Sequence, residues 1–164
     1  MNEQELKVRS QLIPLHNMRL VLPNTAIAEV ISYHKPQPLD NMPPWLTGML
    51  PWRGLQIPLI SLETAAMEQA PQTHRRSRVV VLNTLTGSDP LPFYGVISQG
   101  IPRLMGLDHS TILDAPNAEQ AQKFVLRQVV VEGHPAAIPD LHAIEGELAS
   151  LGVTVIQEQA QVMG

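Results

Sequence analysis

Residues that could do metal or acid–base chemistry are present in this chain but are not grouped for it. The six histidines, His16, His34, His74, His109, His134 and His142, never stand two or four residues apart, the spacings that place two imidazoles on one face of a strand or helix. Cysteine is absent, which removes disulfides, thiolate ligands and cysteine nucleophiles. There is no G-x-S-x-G elbow, no G-x-x-x-x-G-K-S/T loop and no G-x-G-x-x-G fingerprint. Serines and aspartates fall in turns, where their side chains have local backbone roles. The expectation is a protein with no catalytic residues, no metal and no cofactor. The chemistry left is charge recognition, by the cluster Arg75, Arg76 and Arg78 and by the acid and base Glu29 and Arg53.

The elements that must position these charges read as many short strands. Over 164 residues there are 15 prolines against 10 glycines, which favours rigid turns over long helices. Hydrophobic residues make up 44% and charged ones 16%, a globular composition able to bury roughly 70% of its unfolded surface. The formal net charge of -4 gives phosphate neutralisation no global support, so no nucleic-acid partner is expected. The N-terminus lacks an apolar signal region, and no apolar run nears the roughly 20 residues that span a bilayer. A cytoplasmic protein without direct membrane contact is expected.

In order, Gln11–Leu15 and Met18–Leu22 read as a hairpin, with Asn17 expected at positive φ. Thr25–Ile31 alternates so that Ile27, Glu29 and Ile31 share a face, and an acid there needs a partner or a route to solvent. Glu63–Ala70 suits one or two helical turns ended by Pro71. Val79–Asn83 and Phe93–Ser98 read as strands around the loop Leu85–Pro92, and Ile101–Met105 as a short one. From Leu107 a connector leads to Pro116, and Asn117 can cap a short helix through Gln122. Phe124–Val131 and Ala136–Leu141 are strands, and His142–Leu151 a helix with Ile144, Leu148 and Leu151 on one face. Val153–Met163 fits a strand or an ordered tail. Gly54–Leu62 lines up with Gly133–Leu141, and Ile27–Val30 echoes Ile101–Leu104. Two halves built alike suggest two small barrels.

The chain is organised around Leu39–Glu63. Met42-Pro43-Pro44 opens it as a turn, Trp45 and Leu46 follow as anchors, and Arg53-Gly54 separates two strands at a hairpin tip or close backbone approach. Ala28-Glu29-Val30-Ile31, then Pro44-Trp45-Leu46-Thr47-Gly48-Met49, then Arg53-Gly54 with Ile57-Pro58-Leu59-Ile60-Ser61-Leu62, resemble in order and spacing the CheW-like coupling proteins of bacterial chemosensory systems. The likeness runs from about Val8 to about Leu148, and among such proteins it is most similar to accessory members of pilus-linked clusters.

That resemblance implies a mostly β fold of two small five-stranded β-barrel lobes packed together, with short helices, as a single domain over residues 8–150. Residues 1–7 and 153–164 then form terminal segments. It implies a non-enzymatic adaptor between the cytoplasmic tip of methyl-accepting chemoreceptors and the regulatory domain of a CheA-type histidine kinase. The implied partner-binding residues are Glu29, Trp45, Trp52, Arg53, Gly54 and Pro58. Family members place an acid and an arginine at the positions of Glu29 and Arg53, near the receptor groove. Ile27, Val30 and Ile57 are read as core.

Two departures stand out: Pro51-Trp52 replaces the usual Asn-Leu before Arg-Gly, and Ser61 replaces an aspartate that Asp140 retains in the second half. Pro51 donates no ladder bond, so its strand should be bulged or at an edge, and Trp52 is expected exposed or half-exposed beside Arg53. The alternative reading is a PilZ-like β-barrel binding a cyclic dinucleotide through Arg75, Arg76 and Arg78. That family also carries an acid/amide-x-Ser-x-x-Gly element, which does not follow Arg78 here. A solvated basic turn is the plainer reading of the cluster.

Overall fold

In the computed structural model, which describes residues 8–108, 110–115 and 122–157, the chain forms two mixed sheets with two short helices. The strands are β1 (Val8–Pro14), β2 (Arg19–Pro23), β3 (Ile27–Ser32), β4 (Leu46–Trp52), β5 (Leu55–Ile60), β6 (Arg78–Asn83), β7 (Phe93–Ser98), β8 (Arg103–Leu107), β9 (Ile112–Asp114), β10 (Val125–Val131), β11 (His134–Pro139) and β12 (Ile156–Gln157). Helix α1 covers Leu62–Met67 and α2 covers Leu141–Ser150. The first sheet has the order β8-β1-β2-β11-β10-β9. In the second, β3, β6, β7, β5 and β4 follow one another, and β12 adds to β5 beside β7.

The two orders are the same pattern. In each, a strand flanks a hairpin, the hairpin joins a second hairpin through one parallel contact, and the second hairpin leads into a helix. The parallel contacts are Ala137 with Leu20 in the first sheet and Leu59–Ile60 with Gly95–Val96 in the second. The lobes, however, are not the two halves of the chain. The β1–β2 hairpin lies in the sheet built from the second half, and the β6–β7 hairpin in the sheet built from the first. A parallel neighbour needs a crossover: α1 supplies it between β5 and the β6–β7 hairpin, whereas the β1–β2 hairpin lies beside β11 only because the chain passes to the second sheet after β2 and returns after β7.

This exchange explains the continuous apolar strands. On β6, Val79 and Val81 point into the interior of the second sheet with Leu50, Trp52, Ile57, Leu59 and Ile97. The intervening Val80 and Leu82 point the other way, into a core shared between the sheets. β2 does the same from the first sheet, with Leu20 and Leu22 in the shared core and Val21 with Leu12, Val129 and Val131 in its own interior. Strands buried on both faces lose the alternation of a half-exposed sheet.

Both helices start on side-chain caps. Ser61 Oγ accepts from the Thr64 amide at 3.2 Å, and Asp140 Oδ1 accepts from the Ala143 amide at 3.0 Å. The serine that departs from the family pattern therefore keeps the capping role of the aspartate, because either side chain can receive that orphan N–H. α1 ends at Glu68, at φ 55 and ahead of Pro71, and Gly152 follows α2 at φ 74.

β4 is both an edge strand and bulged between Leu46 and Gly48, as a strand carrying Pro51 requires. Gly48, at φ 147, lies where a Cβ would fall 2.2 Å from the Gln37 carbonyl oxygen, and Gln37 bridges to Met49 there. β9 lies in what reads as a connector. Ile156 and Gln157 are strand, while the helix expected from Asn117 and the histidine at position 109 fall outside the described residues. Val30 corrects the expected core: it lies on the outer face of β3, opposite Ile27 and Ile31, and is 36% exposed.

α2 also holds the loop between β6 and β7. The Leu85 amide donates to both Glu145 carboxylate oxygens at 3.0 Å. Burial raises the Glu145 pKa above the ordinary glutamate range, and the Leu85 N–H and His142 only partly oppose it. The folded state therefore keeps this proton to higher pH than the unfolded chain. The resulting stability is fully present below the unfolded glutamate pKa and is lost as pH rises through the raised value. Denaturant melts of the native protein should show stability falling across that window, and Glu145→Gln should show a shallower fall. Equal slopes would assign the pH dependence to other groups.

Candidate functional site

β4 and β5 meet at a two-residue turn in which Arg53 has φ 49 and Gly54 φ 75, with Trp52 opposite Leu55. Positive φ at both central residues is the type I′ pattern, whose twist matches that of the flanking strands. Glycine enters this region freely, whereas arginine does so at a small cost. Arg53 is held there by what its side chain touches.

Glu29 supplies the anchor. It sits on β3, which together with β4 ends the five-strand order β4-β5-β7-β6-β3. One carboxylate oxygen, Oε1, accepts from Trp52 Nε1 at 2.9 Å and from Arg53 Nε at 3.1 Å. The contact therefore ties one end of that order to the other. The Arg53 guanidinium also lies over the Trp52 ring, 5.1 Å from its centroid, in cation–π geometry. Beneath, Trp52 packs edge-on against Phe93 with ring centroids 4.8 Å apart.

The six residues expected at a partner site thus divide. Glu29 and Arg53 have side chains 37% and 66% exposed, and Gly54 is exposed at the turn. Trp52 corrects the expectation of an exposed aromatic. It is 8% exposed, because its position on β4 directs the ring into the second sheet's interior, leaving the indole N–H to reach Glu29. Trp45, 5% exposed, packs edge-on against Phe124 at 4.8 Å in the shared core, and Pro58 is buried on β5. These three offer a partner almost no surface.

A counterpart of this site lies in the first sheet. The β10–β11 turn is Glu132–Gly133, at φ 52 and 76, and Glu132 pairs with Arg103 on the edge strand β8. Arg19 Nη1 approaches the same Glu132 oxygen at 4.0 Å, while its Nη2 donates to the Val131 carbonyl. The signs are reversed between lobes: acid on the strand and base on the turn in one, base on the strand and acid on the turn in the other. The alignment of Gly54 with Gly133 and of Ile27–Val30 with Ile101–Leu104 contains this reversal, since it sets Glu29 against Arg103 and Arg53 against Glu132.

The CheW-like domain model matches residues 10–147. This chain belongs to the CheW-like family. The family's members are scaffold and adaptor proteins of chemotaxis signalling, so the family resemblance and the mostly β fold both hold. A crystal structure of the scaffolding protein TtCheW from Thermoanaerobacter tengcongensis shares the fold, with a TM-score of 0.68 at 17% identity. The alignment covers 86% of this chain and 89% of that one. Among curated proteins none matches. Among the described residues no helix is long and apolar enough to cross a membrane.

Trp52 makes Glu29 more than half of a surface ion pair. An exposed pair contributes about 0–1 kcal/mol, but leaving a buried N–H without an acceptor costs about 1–3 kcal/mol. Thermal melts should therefore show Glu29→Ala losing more stability than Arg53→Ala. Glu29→Gln keeps a carbonyl acceptor for the indole and should recover most of the difference. Equal losses for the two alanine variants would show that the indole bond adds nothing.

Proposed function

We propose that this chain is a non-enzymatic adaptor that couples the cytoplasmic tip of methyl-accepting chemoreceptors to a CheA-type histidine kinase. One lobe end meets the kinase's regulatory domain, and the groove between lobes meets a receptor helix hairpin. Its setting is cytoplasmic, at receptor arrays that it joins through these partners and not through lipid. An adaptor needs no reacting group: joining two modest contacts raises the local concentration of each partner and makes assembly steep.

The observation that carries this reading is the display of Arg53. A cation lifted on a strained turn position, braced by a carboxylate and an indole face yet 66% exposed, is pre-organised for contact. Pre-organisation lowers the side-chain entropy lost on binding, a term of about 0.5–1.5 kcal/mol for a long side chain. In this reading Arg53 touches the partner at the edge of the receptor groove and Glu29 orients it. Gly54 permits the turn, Trp52 supports the guanidinium, and Trp45 and Pro58 act through the core.

Binding and folding should separate at Arg53. Arg53→Ala should lower the melting temperature only slightly, by roughly 2–4 °C for about 1 kcal/mol in a domain of this size. Its affinity for a receptor cytoplasmic fragment, measured by calorimetry, should fall by about 2 kcal/mol, roughly thirtyfold. The exchanged pair, Glu29→Arg with Arg53→Glu, should restore neither property, because an arginine at position 29 faces the Trp52 N–H with another donor. An exchange that restores both would make the pair structural and place the interface elsewhere.

A further inference from the structure

A cleft of about 390 Å³ lies between α2 and the loop that joins β6 to β7. The loop contributes Ser88 and Asp89, the helix His142, Glu145 and Gly146, and the segment after the helix Thr154. Its volume falls in the range of about 300–1,000 Å³ that small-molecule sites occupy. The loop is pinned at two points. The Leu85 amide donates to the Glu145 carboxylate, and the Val155 amide donates to the Pro90 carbonyl at 2.9 Å.

Two carboxylates line this cleft, against one basic side chain, His142. Among the described residues Glu29, Asp114, Glu132 and Glu147 each lie against an arginine or lysine, whereas Asp89 and Glu145 lie against none. Each Glu145 oxygen takes the Leu85 N–H and still has capacity for a further donor. Beneath, the Tyr94 hydroxyl is wholly buried and has no hydrogen-bond partner among the described residues. Burial, and then the Glu145 charge, push the Tyr94 pKa up, so the hydroxyl lies within reach of that carboxylate's field. Leu91 and Val153, which line the cleft, belong to the same core as the Tyr94 ring. A buried hydroxyl left without a partner is costly, and here it lies under an acidic cleft.

Gly146 keeps the cleft open. It stands in the interior of α2, where an added Cβ would meet nothing within 4 Å. No packing within the chain requires a glycine there, and glycine is a poorer helix former than alanine. We propose that this cleft is a binding site for a small organic amine. The ammonium group meets Asp89 and Glu145, and a short carbon chain lies over Gly146 against Leu91 and Val153. An ammonium brings three donors and no acceptor, which suits two carboxylates beside the hydroxyls of Ser88 and Thr154. Its bonds to the carboxylates are charge-assisted, whereas an anion of the same size would meet two like charges. Such a site stands whether or not the chain is an adaptor.

The test titrates 1-aminobutane into the isotopically labelled full chain and follows amide chemical shifts, with 1-butanol and butanoate as length-matched controls. The amine should shift Leu85, Gly146 and Val153 saturably, and neither control should do so at the same concentrations. Glu145→Gln and Asp89→Asn should each weaken the amine about tenfold, the effect of losing one hydrogen bond to a charged group. Gly146→Leu should abolish binding while melting no lower than the native chain, because leucine is the better helix former. That variant separates a filled cleft from a damaged fold. No saturable shift with the amine, equal shifts with butanol or butanoate, or binding that survives Gly146→Leu would overturn the proposal. Shifts spread over other acidic sites such as Asp114 would do the same, as the mark of unspecific charge attraction. A kinase regulatory domain that loses affinity for Gly146→Leu, with no amine bound by the native chain, would give the cleft to a partner's side chain and also overturn it.

Discussion

The fold depends on hairpins that are buried on both faces. β2 and β6 each send alternate side chains into their own sheet's interior and the rest into a core common to both, so neither lobe has an inner surface it could show to water. Removing one lobe would expose Val80, Leu82 and Val96 on the other, or Ile13, Leu20 and Leu22 on its partner. At about 25 cal/mol per Å² of apolar area, such exposure would cost several kcal/mol, a large fraction of a domain's net stability. The exchange of hairpins makes this coupling covalent as well. The two sheets consequently cannot drift apart while the chain is folded.

On that rigid frame, charge is placed where strand orders end. Each lobe joins the edge of its sheet to the turn of a hairpin through a carboxylate and an arginine, and each turn uses two consecutive residues at positive φ, the second a glycine. The lobes reverse the signs, which leaves the ion pair intact and moves the acid from the edge strand to the turn. In both pairs the arginine is the more exposed partner, and at the second turn the Glu132 acid is flanked by Arg103 and Arg19. Two similar turns thus carry opposite charges.

Much of this was legible in the sequence, for identifiable reasons. Strand positions followed from apolar runs bounded by prolines and glycines, and the Asn17 turn and the α2 face followed from rules local to a few residues. The alignment of Gly54 with Gly133 disclosed the internal repeat. What local rules cannot carry is which hairpin joins which sheet, since Val79–Asn83 reads the same in either lobe. For the same reason Trp52 reads as exposed: its neighbour Arg53 is at the surface, and only the direction of β4 against Val79 and Phe93 shows that the ring turns inward. Val30 failed the other way, because period two places it opposite Ile27 and its hydrophobicity alone says nothing about which face is covered. The indole bond to Glu29 joins residues on two different strands, and no spacing rule brings them together.

The central proposal is that the Arg53 turn meets the receptor and lies apart from the surface that meets the kinase. Amide chemical-shift mapping of the isotopically labelled chain tests it most directly, by titrating in the receptor fragment and the kinase domain separately. The account predicts that the receptor fragment shifts Glu29, Arg53 and Gly54 together, and that the kinase domain shifts a set that excludes them. Receptor-induced shifts confined to α2 and β9–β10, with Arg53 and Gly54 unmoved, would contradict it.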